Sequence, residues 1–303
     1  MPSLARLWDS DIAYSFRSSP VAMTSAIVAL IMVAAALFAT WVAPHNPLDL
    51  GTIDLLDAST PPVWAEGGTW KFVLGTDVQG RDVLSAVIYG MRISLVIGIA
   101  SVAVAVVVGV GVGLLSGYAG GRLDAFLMRV ADVQLAFPPI LIALLVDGVA
   151  RAALPRETHD IVAFPVLVAA IALAGWPQYA RTVRGSTLVE KGKEYVQAAR
   201  VIGVSPGAIM VRHVLPNVLG PVLVLGTVHI ATAIITEATL SYLGVGVPPT
   251  TPSLGTLIRI GAEFLFSGEW WITIFPGVAL VLLVLSVNLL GDWLRDALNP
   301  RLR

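Results

Sequence analysis

Six long apolar runs constrain the fold of this chain more than any other feature of its sequence. They cover residues 22–43, 94–115, 125–146, 161–179, 218–242 and 272–290. Each run has about 20 residues, the length of helix that crosses the hydrocarbon core of a bilayer. A soluble helical protein would need polar faces on most of its helices, and these runs lack them. The sequence therefore predicts an all-α membrane protein with six transmembrane helices.

The composition agrees with this class and excludes several functions. Charged residues make up 13% of the chain, whereas a soluble domain carries about 25%. A net charge of −1 gives no sign of a nucleic-acid binder, and the lack of cysteine excludes disulfides and thiolate chemistry. None of Lys71, Lys191 and Lys193 ends a glycine-rich phosphate loop. We therefore expect no catalytic residue, no metal site and no cofactor on this chain.

Basic residues concentrate at one end of the predicted helices, and acidic residues are frequent in the loop at 44–93. Lys and Arg mark the cytoplasmic side of a membrane protein. The basic end comprises Arg6, Arg17, Arg122, Arg129, Arg181, Arg184, Lys191, Lys193, Arg200, Arg212, Arg295, Arg301 and Arg303. We expect cytoplasmic segments at 1–21 and 292–303, an uncleaved first helix at 22–43 and an outer loop at 44–93.

One predicted helix carries a stripe of small residues. Gly109, Gly113, Gly117 and Gly121 recur every fourth residue, which places them on one helical face. Glycine on such a face lets a second helix backbone approach closely. We expect tight helix packing at Gly109, Gly113 and Gly117, either within the chain or at a subunit interface.

A polar, basic segment separates the fourth and fifth apolar runs. Residues 190–202 are good helix formers, and Gly203 can end a helix in the left-handed conformation. Ser205 suits the N-cap and Pro206 the first position of a second short helix, which we expect to end before Pro216. The pattern predicts two short helices joined by a bend, outside the membrane.

The first of these short helices offers a small surface to another protein. Ala198 and Ala199 form that surface, and Glu194 and Arg200 flank it with charge. The alternative is a solvated loop between helices, and spacing alone does not decide between them.

The same segment resembles the cytoplasmic motif of permease subunits of bacterial ABC importers. That motif reads Glu-Ala-Ala, three residues, Gly, nine residues, then Ile-x-Leu-Pro. The chain has Gln197-Ala198-Ala199, Gly203 and His213-Val214-Leu215-Pro216 at the same spacing. Gln197 and His213 depart from the motif, and the first change removes a salt bridge to the partner. The resemblance implies a coupling helix in a loop at 181–216 that contacts an ATP-binding subunit through Glu194, Gln197, Ala198, Ala199, Arg200, Gly203, Val204 and Ser205.

A second match extends the resemblance to most of the chain. Leu-Gly-Thr-Asp at 74–77 and Gly-Arg-Asp-Val-Leu-Ser at 80–85 are similar to the peptide and nickel branch of these permeases, closest to the second permease of dipeptide importers. The resemblance implies a five-helix transport domain at 94–291 and one additional N-terminal helix. It also implies a multi-pass protein of the bacterial inner membrane with both termini in the cytoplasm.

The resemblance further implies the partners of the chain. These are a homologous second permease subunit, two ATP-binding subunits that hold ATP and Mg, and a periplasmic or lipid-anchored solute-binding protein. Peptides would be the substrate and lipid the surroundings. The chain itself would line half of the path and perform no bond chemistry.

Several polar residues in the apolar runs are candidates for the path. Glu237 is a functional candidate because an acid at membrane depth is costly, although it also suits a loop cap. Gln178 and Tyr179 are gate candidates, and His229 is expected to form an interhelical hydrogen bond.

Other functions stay open at this point. The same machine could carry nickel, oligopeptides or another small solute. An ion-driven secondary carrier would place ionisable groups near the midplane, where only Glu237 is a candidate. An intramembrane hydrolase would need a nucleophile with a base in reach, and no Gly-x-Ser-x-Gly elbow is present.

Overall fold

A computed structural model describes residues 11–49, 51 and 53–297. Residues 1–10 and 298–303, including Arg6, Arg301 and Arg303 of the predicted cytoplasmic segments, lie outside the described residues. The described part is helical, apart from loops and one isolated bridge between Thr76 and Asp82. The helices are α1 (Asp11–Ser18), α2 (Pro20–Leu37), α3 (Ala39–Val42), α4 (Val83–Ala119), α5 (Gly121–Leu135), α6 (Pro139–Ala153), α7 (His159–Glu190), α8 (Glu194–Val201), α9 (Pro206–Ile209), α10 (Leu215–Tyr242), α11 (Leu254–Ala262) and α12 (Trp271–Ala297).

The predicted membrane class is confirmed. In the described ranges, 5 helices are long and apolar enough to cross a membrane: Pro20–Leu37, Val83–Ala119, Arg156–Glu190, Pro206–Tyr242 and Trp271–Ala297. The number becomes 6 if the bent pair of α5 and α6 counts as one span. The all-α expectation is therefore confirmed, and the six spans are reached when α5 and α6 count together.

The prediction of one continuous helix at 125–146 is wrong. The chain bends by 95° between α5 and α6. Pro139 restricts the residue before it to extended backbone, and Pro138 accordingly has a ψ of 132°. Pro139 then starts α6, where its missing N–H leaves no helical hydrogen bond unmade. Two adjacent prolines thus divide an apolar run that is long enough for one helix.

The second span begins earlier than its apolar run. α4 starts at Val83, and the Asp82 side chain caps it by accepting hydrogen bonds from the backbone N–H and the hydroxyl of Ser85 (3.0 and 2.5 Å). Val87 and Met91 of this added part are buried. The last part of the predicted loop at 44–93, from Val83 onward, is therefore helical. The cap and the buried residues extend α4 beyond the apolar run.

The glycine stripe brings α4 and α7 into direct backbone contact. A Cβ added to Gly113 would lie 2.5 Å from the backbone oxygen of Ala180, and one added to Gly117 would lie 2.8 Å from Cβ of Thr187. Gly109 faces Tyr179 in the same way. α7 of the same chain covers these three glycines, so the stripe leaves no room for a helix of another subunit. Gly121 does not continue the stripe, because it starts α5 with a φ of +60°.

No break separates the second short helix from the next span before Pro216, contrary to our expectation. α9 has only four residues, and a π-helical stretch, Met210–Val214, joins it to α10. Pro216 lies in the first turn of α10, where proline is tolerated. The bend after α8 therefore leads directly into the membrane-spanning α10.

We predict that the Gly113→Ala variant is destabilised by about 1–3 kcal/mol, because the added methyl group overpacks the contact with Ala180. Gly111→Ala is the matched control on the same helix, since its Cβ would meet nothing within 4 Å. There the loss of glycine should stabilise the helix by about 0.5–1 kcal/mol. Thermal unfolding of both variants in one detergent measures the difference, and equal midpoints would contradict the assigned contact.

Candidate functional site

The segment between α7 and α10 forms a bent hairpin, which we define as residues 190–217. Its first helix, α8, ends in a Schellman motif. The backbone N–H of Val204 donates to the oxygen of Ala199 and that of Gly203 donates to the oxygen of Arg200, both at 3.0 Å. Gly203 has a φ of +82°, which glycine adopts without strain. Gly203 therefore ends the helix as the sequence predicts, and the chain reverses there.

The inner side of the bent hairpin packs into the helical bundle. Val196, Ala199, Ile209 and Val214 are buried in one cluster that also contains Tyr179 of α7. Ser205 holds the N-cap position of α9 with extended backbone, and its hydroxyl makes no capping bond. The hairpin is therefore fixed to the bundle through apolar contacts on one side.

The position of Ala199 corrects our expectation of an exposed Ala198–Ala199 surface. Ala198 is exposed, but Ala199 is only 4% exposed because it faces the cluster beneath α8. Arg200 is exposed, and its guanidinium lies over the ring of Tyr118, 5.1 Å from the centroid. Glu194 and Gln197 are exposed.

A polar network joins the two ends of the bent hairpin. The hydroxyl of Tyr195 donates to the Glu190 carboxylate at 2.5 Å, and the Asn217 side chain donates to the Tyr195 oxygen at 3.1 Å and to the backbone oxygen of His213 at 2.7 Å. Lys193 pairs with Glu190 at 2.6 Å. Desolvation and the adjacent Glu190 raise the pKa of Tyr195 to about 12, so the phenol keeps the proton that it donates.

The exposed side of the hairpin carries apolar residues beside its polar ones, which our sequence analysis missed. Val201 is 86% exposed, Ile202 is 78% exposed and Val211 is also exposed. Val201 and Ile202 directly precede Gly203, where the first helix stops, and Val211 lies in the π-helical stretch before α10. The available signal was the run of apolar residues next to Gly203 in a segment that is otherwise polar.

The structure separates the three path candidates. Gln178 is exposed on α7, whereas Tyr179 is buried against the glycine stripe. Glu237 is fully buried, and its carboxylate accepts hydrogen bonds from the hydroxyls of Ser94 (2.7 Å) and Ser241 (2.6 Å). Tyr179 and Glu237 are therefore internal in this conformation, and only Gln178 faces outward.

His229 forms the interhelical hydrogen bond that the sequence predicts. Its Nε2 lies 2.6 Å from Oε1 of Gln178 and so joins α10 to α7. No group of three or more metal-ligating side chains was found among the described residues. The chain thus presents two features: a bent hairpin at one end and a polar position in the middle of the bundle.

Comparison with known protein families identifies two parts of the chain. Residues 109–303 match the family described as binding-protein-dependent transport system inner membrane component. Residues 7–62 match the N-terminal transmembrane domain of oligopeptide transport permease C. The predicted additional N-terminal helix is confirmed by this second match.

Characterised relatives are similar over nearly the whole chain. The di/tripeptide transport system permease protein DppC of Pseudomonas aeruginosa is 38% identical over 95% of this chain and 91% of its own length. The dipeptide transport system permease protein DppC of Escherichia coli is 37% identical over 100% of this chain and 95% of its own length. The glutathione transport system permease protein GsiD of Escherichia coli is 36% identical, with 95% and 89% covered.

A solved structure shows the same fold. The methionine ABC transporter MetNI in inward-facing conformations contains a chain that superposes with a TM-score of 0.54 at 20% identity, covering 71% of this chain and 96% of that one. The resemblance that we drew from the motifs is confirmed. The chain belongs to the family of inner membrane components of binding-protein-dependent transport systems and is a permease subunit of an ABC importer.

Proposed function

We propose that this permease forms half of the path for dipeptides or short peptides and that its bent hairpin couples the path to ATP hydrolysis on another chain. The hairpin is the observation that carries the proposal. One side is packed into the bundle, and the other exposes Val201 and Ile202 to a partner. A rigid body with one free side transmits the movement of whatever binds that side.

In this proposal, partner chains hydrolyse the ATP that drives transport. Two ATP-binding subunits hold ATP and Mg. One of them contacts the bent hairpin through its exposed residues Glu194, Gln197, Ala198, Arg200, Gly203 and Ser205. Ala199 and Val204 act from beneath by fixing α8 to the bundle. A homologous permease completes the path, and a periplasmic or lipid-anchored solute-binding protein delivers the substrate.

The bias of basic residues supports the orientation. Lys191, Lys193, Arg200 and Arg212 lie on or beside the bent hairpin, so this end of the bundle faces the cytoplasm together with both termini. The loop at 44–82 then faces the periplasm, where a solute-binding protein is found.

Peptides are the substrate class that the relatives favour. The names of the two DppC relatives specify di/tripeptide and dipeptide transport. The name of GsiD specifies glutathione, which is itself a short peptide. The common element is a short chain with peptide bonds.

We predict that the complete importer, reconstituted with its partner subunits in vesicles, takes up alanyl-alanine in an ATP-dependent manner. A tripeptide in excess should compete for uptake, and Ni²⁺ should not. Radiolabelled alanyl-alanine measures the rate. Uptake without ATP-binding subunits would instead support an ion-driven carrier, and competition by Ni²⁺ alone would support the nickel alternative.

We predict that Ile202→Asp lowers the recovery of the ATP-binding subunits with the purified permease by roughly tenfold or more, because a charge replaces an apolar contact at the centre of the interface. Leu56→Asp is the matched control, since Leu56 is 92% exposed but lies in the loop at the other end of the bundle. Both variants should insert and fold as the wild type does. Equal recovery from the two variants would show that the hairpin is only solvated.

We predict that Gly203→Ala reduces the peptide imported per ATP hydrolysed, because a side chain at a φ of +82° costs about 1–2 kcal/mol and distorts the end of α8. Gly207→Ala is the matched control. An added Cβ meets nothing within 4 Å at either glycine, but only Gly203 has a positive φ. ATP hydrolysis and uptake measured in the same vesicles report the ratio, and an unchanged ratio in Gly203→Ala would argue against the lever.

A further inference from the structure

A cavity of about 70 Å³ lies between α4, α7, α10 and the start of α6, and five of its twelve lining residues are polar. Ser101 of α4, Gln178 of α7, and His229, Thr232 and Thr236 of α10 line it. Each of these residues lies within a helix that is long and apolar enough to span a membrane. Polar side chains at such positions are costly unless they serve a purpose.

The cavity opens on the outer face of the bundle, where Gln178 and Thr232 are exposed. Polar groups turned toward lipid tails lose their hydrogen bonds to water without replacement. This face therefore suits a water-containing space between two permease subunits better than a lipid surface.

Among the polar groups of the cavity wall, the hydroxyl of Ser101 is the one that is both buried and unpaired within the described residues. Ser101 is 0% exposed, and its Oγ has no hydrogen-bond partner among the described residues. The hydroxyls of Thr232 and Thr236, in contrast, donate to backbone oxygens of their own helix at 3.2 and 2.9 Å. Buried polar groups are nearly always paired, so an unpaired hydroxyl that faces a cavity calls for a partner from outside the fold.

Gln178 complements this hydroxyl. Its Oε1 accepts from Nε2 of His229, which holds the side-chain amide in one orientation. The amide nitrogen of Gln178 then retains two N–H donors. The cavity thus combines a hydroxyl that can accept a hydrogen bond with an amide that can donate one.

The charge of the cavity wall selects the ligand class. None of its five polar residues carries a carboxylate, an ammonium or a guanidinium group. A charged peptide terminus would find no counter-ion here. The peptide bond is neutral, carries one N–H donor and one carbonyl acceptor, and is common to all short peptides.

We propose that Ser101 and Gln178 form a subsite for the main-chain amide of a peptide in transit. This inference rests on the proposed function, since it takes peptides as the substrate. Ser101 Oγ accepts from the peptide N–H, and the Gln178 side chain donates to the peptide carbonyl. The subsite contacts the part that peptides share, so it tolerates differences among their side chains.

Two substrates and one substitution test the proposal in the complete importer reconstituted in vesicles. The substrates are alanyl-alanine and alanyl-lactate, in which an ester oxygen replaces the amide N–H. Ser101→Ala should slow the uptake of alanyl-alanine roughly three- to tenfold, the effect of one neutral hydrogen bond. It should change the uptake of alanyl-lactate less than about twofold, because the ester has no N–H to lose.

The controls separate a lost contact from a damaged fold. The Ser101 hydroxyl has no partner in the described part of the chain, so Ser101→Ala should keep or raise the thermal midpoint of unfolding. Ser286→Ala is the matched control, since its buried hydroxyl bonds to the backbone oxygen of Leu283 away from the cavity, and it should not distinguish the substrates. The affinity of the solute-binding protein for each substrate is measured separately, and uptake is compared at saturation.

Three results would overturn the subsite. These are an unchanged rate in Ser101→Ala, an equal loss for both substrates, and a lower thermal midpoint that accounts for the loss. In each case uptake of alanyl-alanine by the wild type leaves the proposed function intact. Failure of the wild type to take up either substrate would overturn the proposed function itself and the subsite with it.

Discussion

The close contact between α4 and α7 is the constraint on which the rest of the structure depends. Gly113 and Gly117 allow the two backbones to touch over several turns, and any side chain there would separate them. Lys191, just past the end of α7, donates to the backbone oxygen of Gly117 at 2.6 Å, which ties the start of the bent hairpin to α4. Further along the same pair, Ser101 and Gln178 line one cavity. The contact between α4 and α7 therefore positions both the bent hairpin and the polar residues of the cavity.

A second connection joins the bent helix pair to this frame. Arg184 of α7 binds the Asp124 carboxylate of α5 through two hydrogen bonds of 2.6 and 2.7 Å, a bidentate geometry that fixes orientation as well as distance. Ser116 of α4 donates to the same carboxylate. Asp124 thus joins three helices at the end of the bundle where the bent hairpin lies. The end of α7 is thus linked to α5 through this ion pair.

Local chemistry was predictable from the sequence, and its three-dimensional context was not. Gly203 ends α8 as expected because the requirement for a positive φ is a property of a few residues. The two prolines at the break between α5 and α6 are present in the sequence. Proline is tolerated in membrane helices, however, and its effect depends on the neighbours of the helix. Ala199 belongs to the recognised motif, yet it faces inward because Ile209 and Val214 return beneath it. The exposed side of the hairpin could be assigned only after that packing was known.

Glu237 shows the same limit and also bears on how the path works. As an acid in an apolar run it was the foremost candidate for contact with a substrate, but Ser94, distant in sequence, approaches it across the α4–α10 contact. Ser94 Oγ also lies 3.3 Å from the backbone N–H of Leu254, so the carboxylate is linked to the start of α11. The hydrogen bonds of the Glu237 side chain hold helices together, away from the cavity. In the proposed subsite, the neutral hydrogen-bonding groups of the cavity wall would hold a peptide weakly and let it pass on.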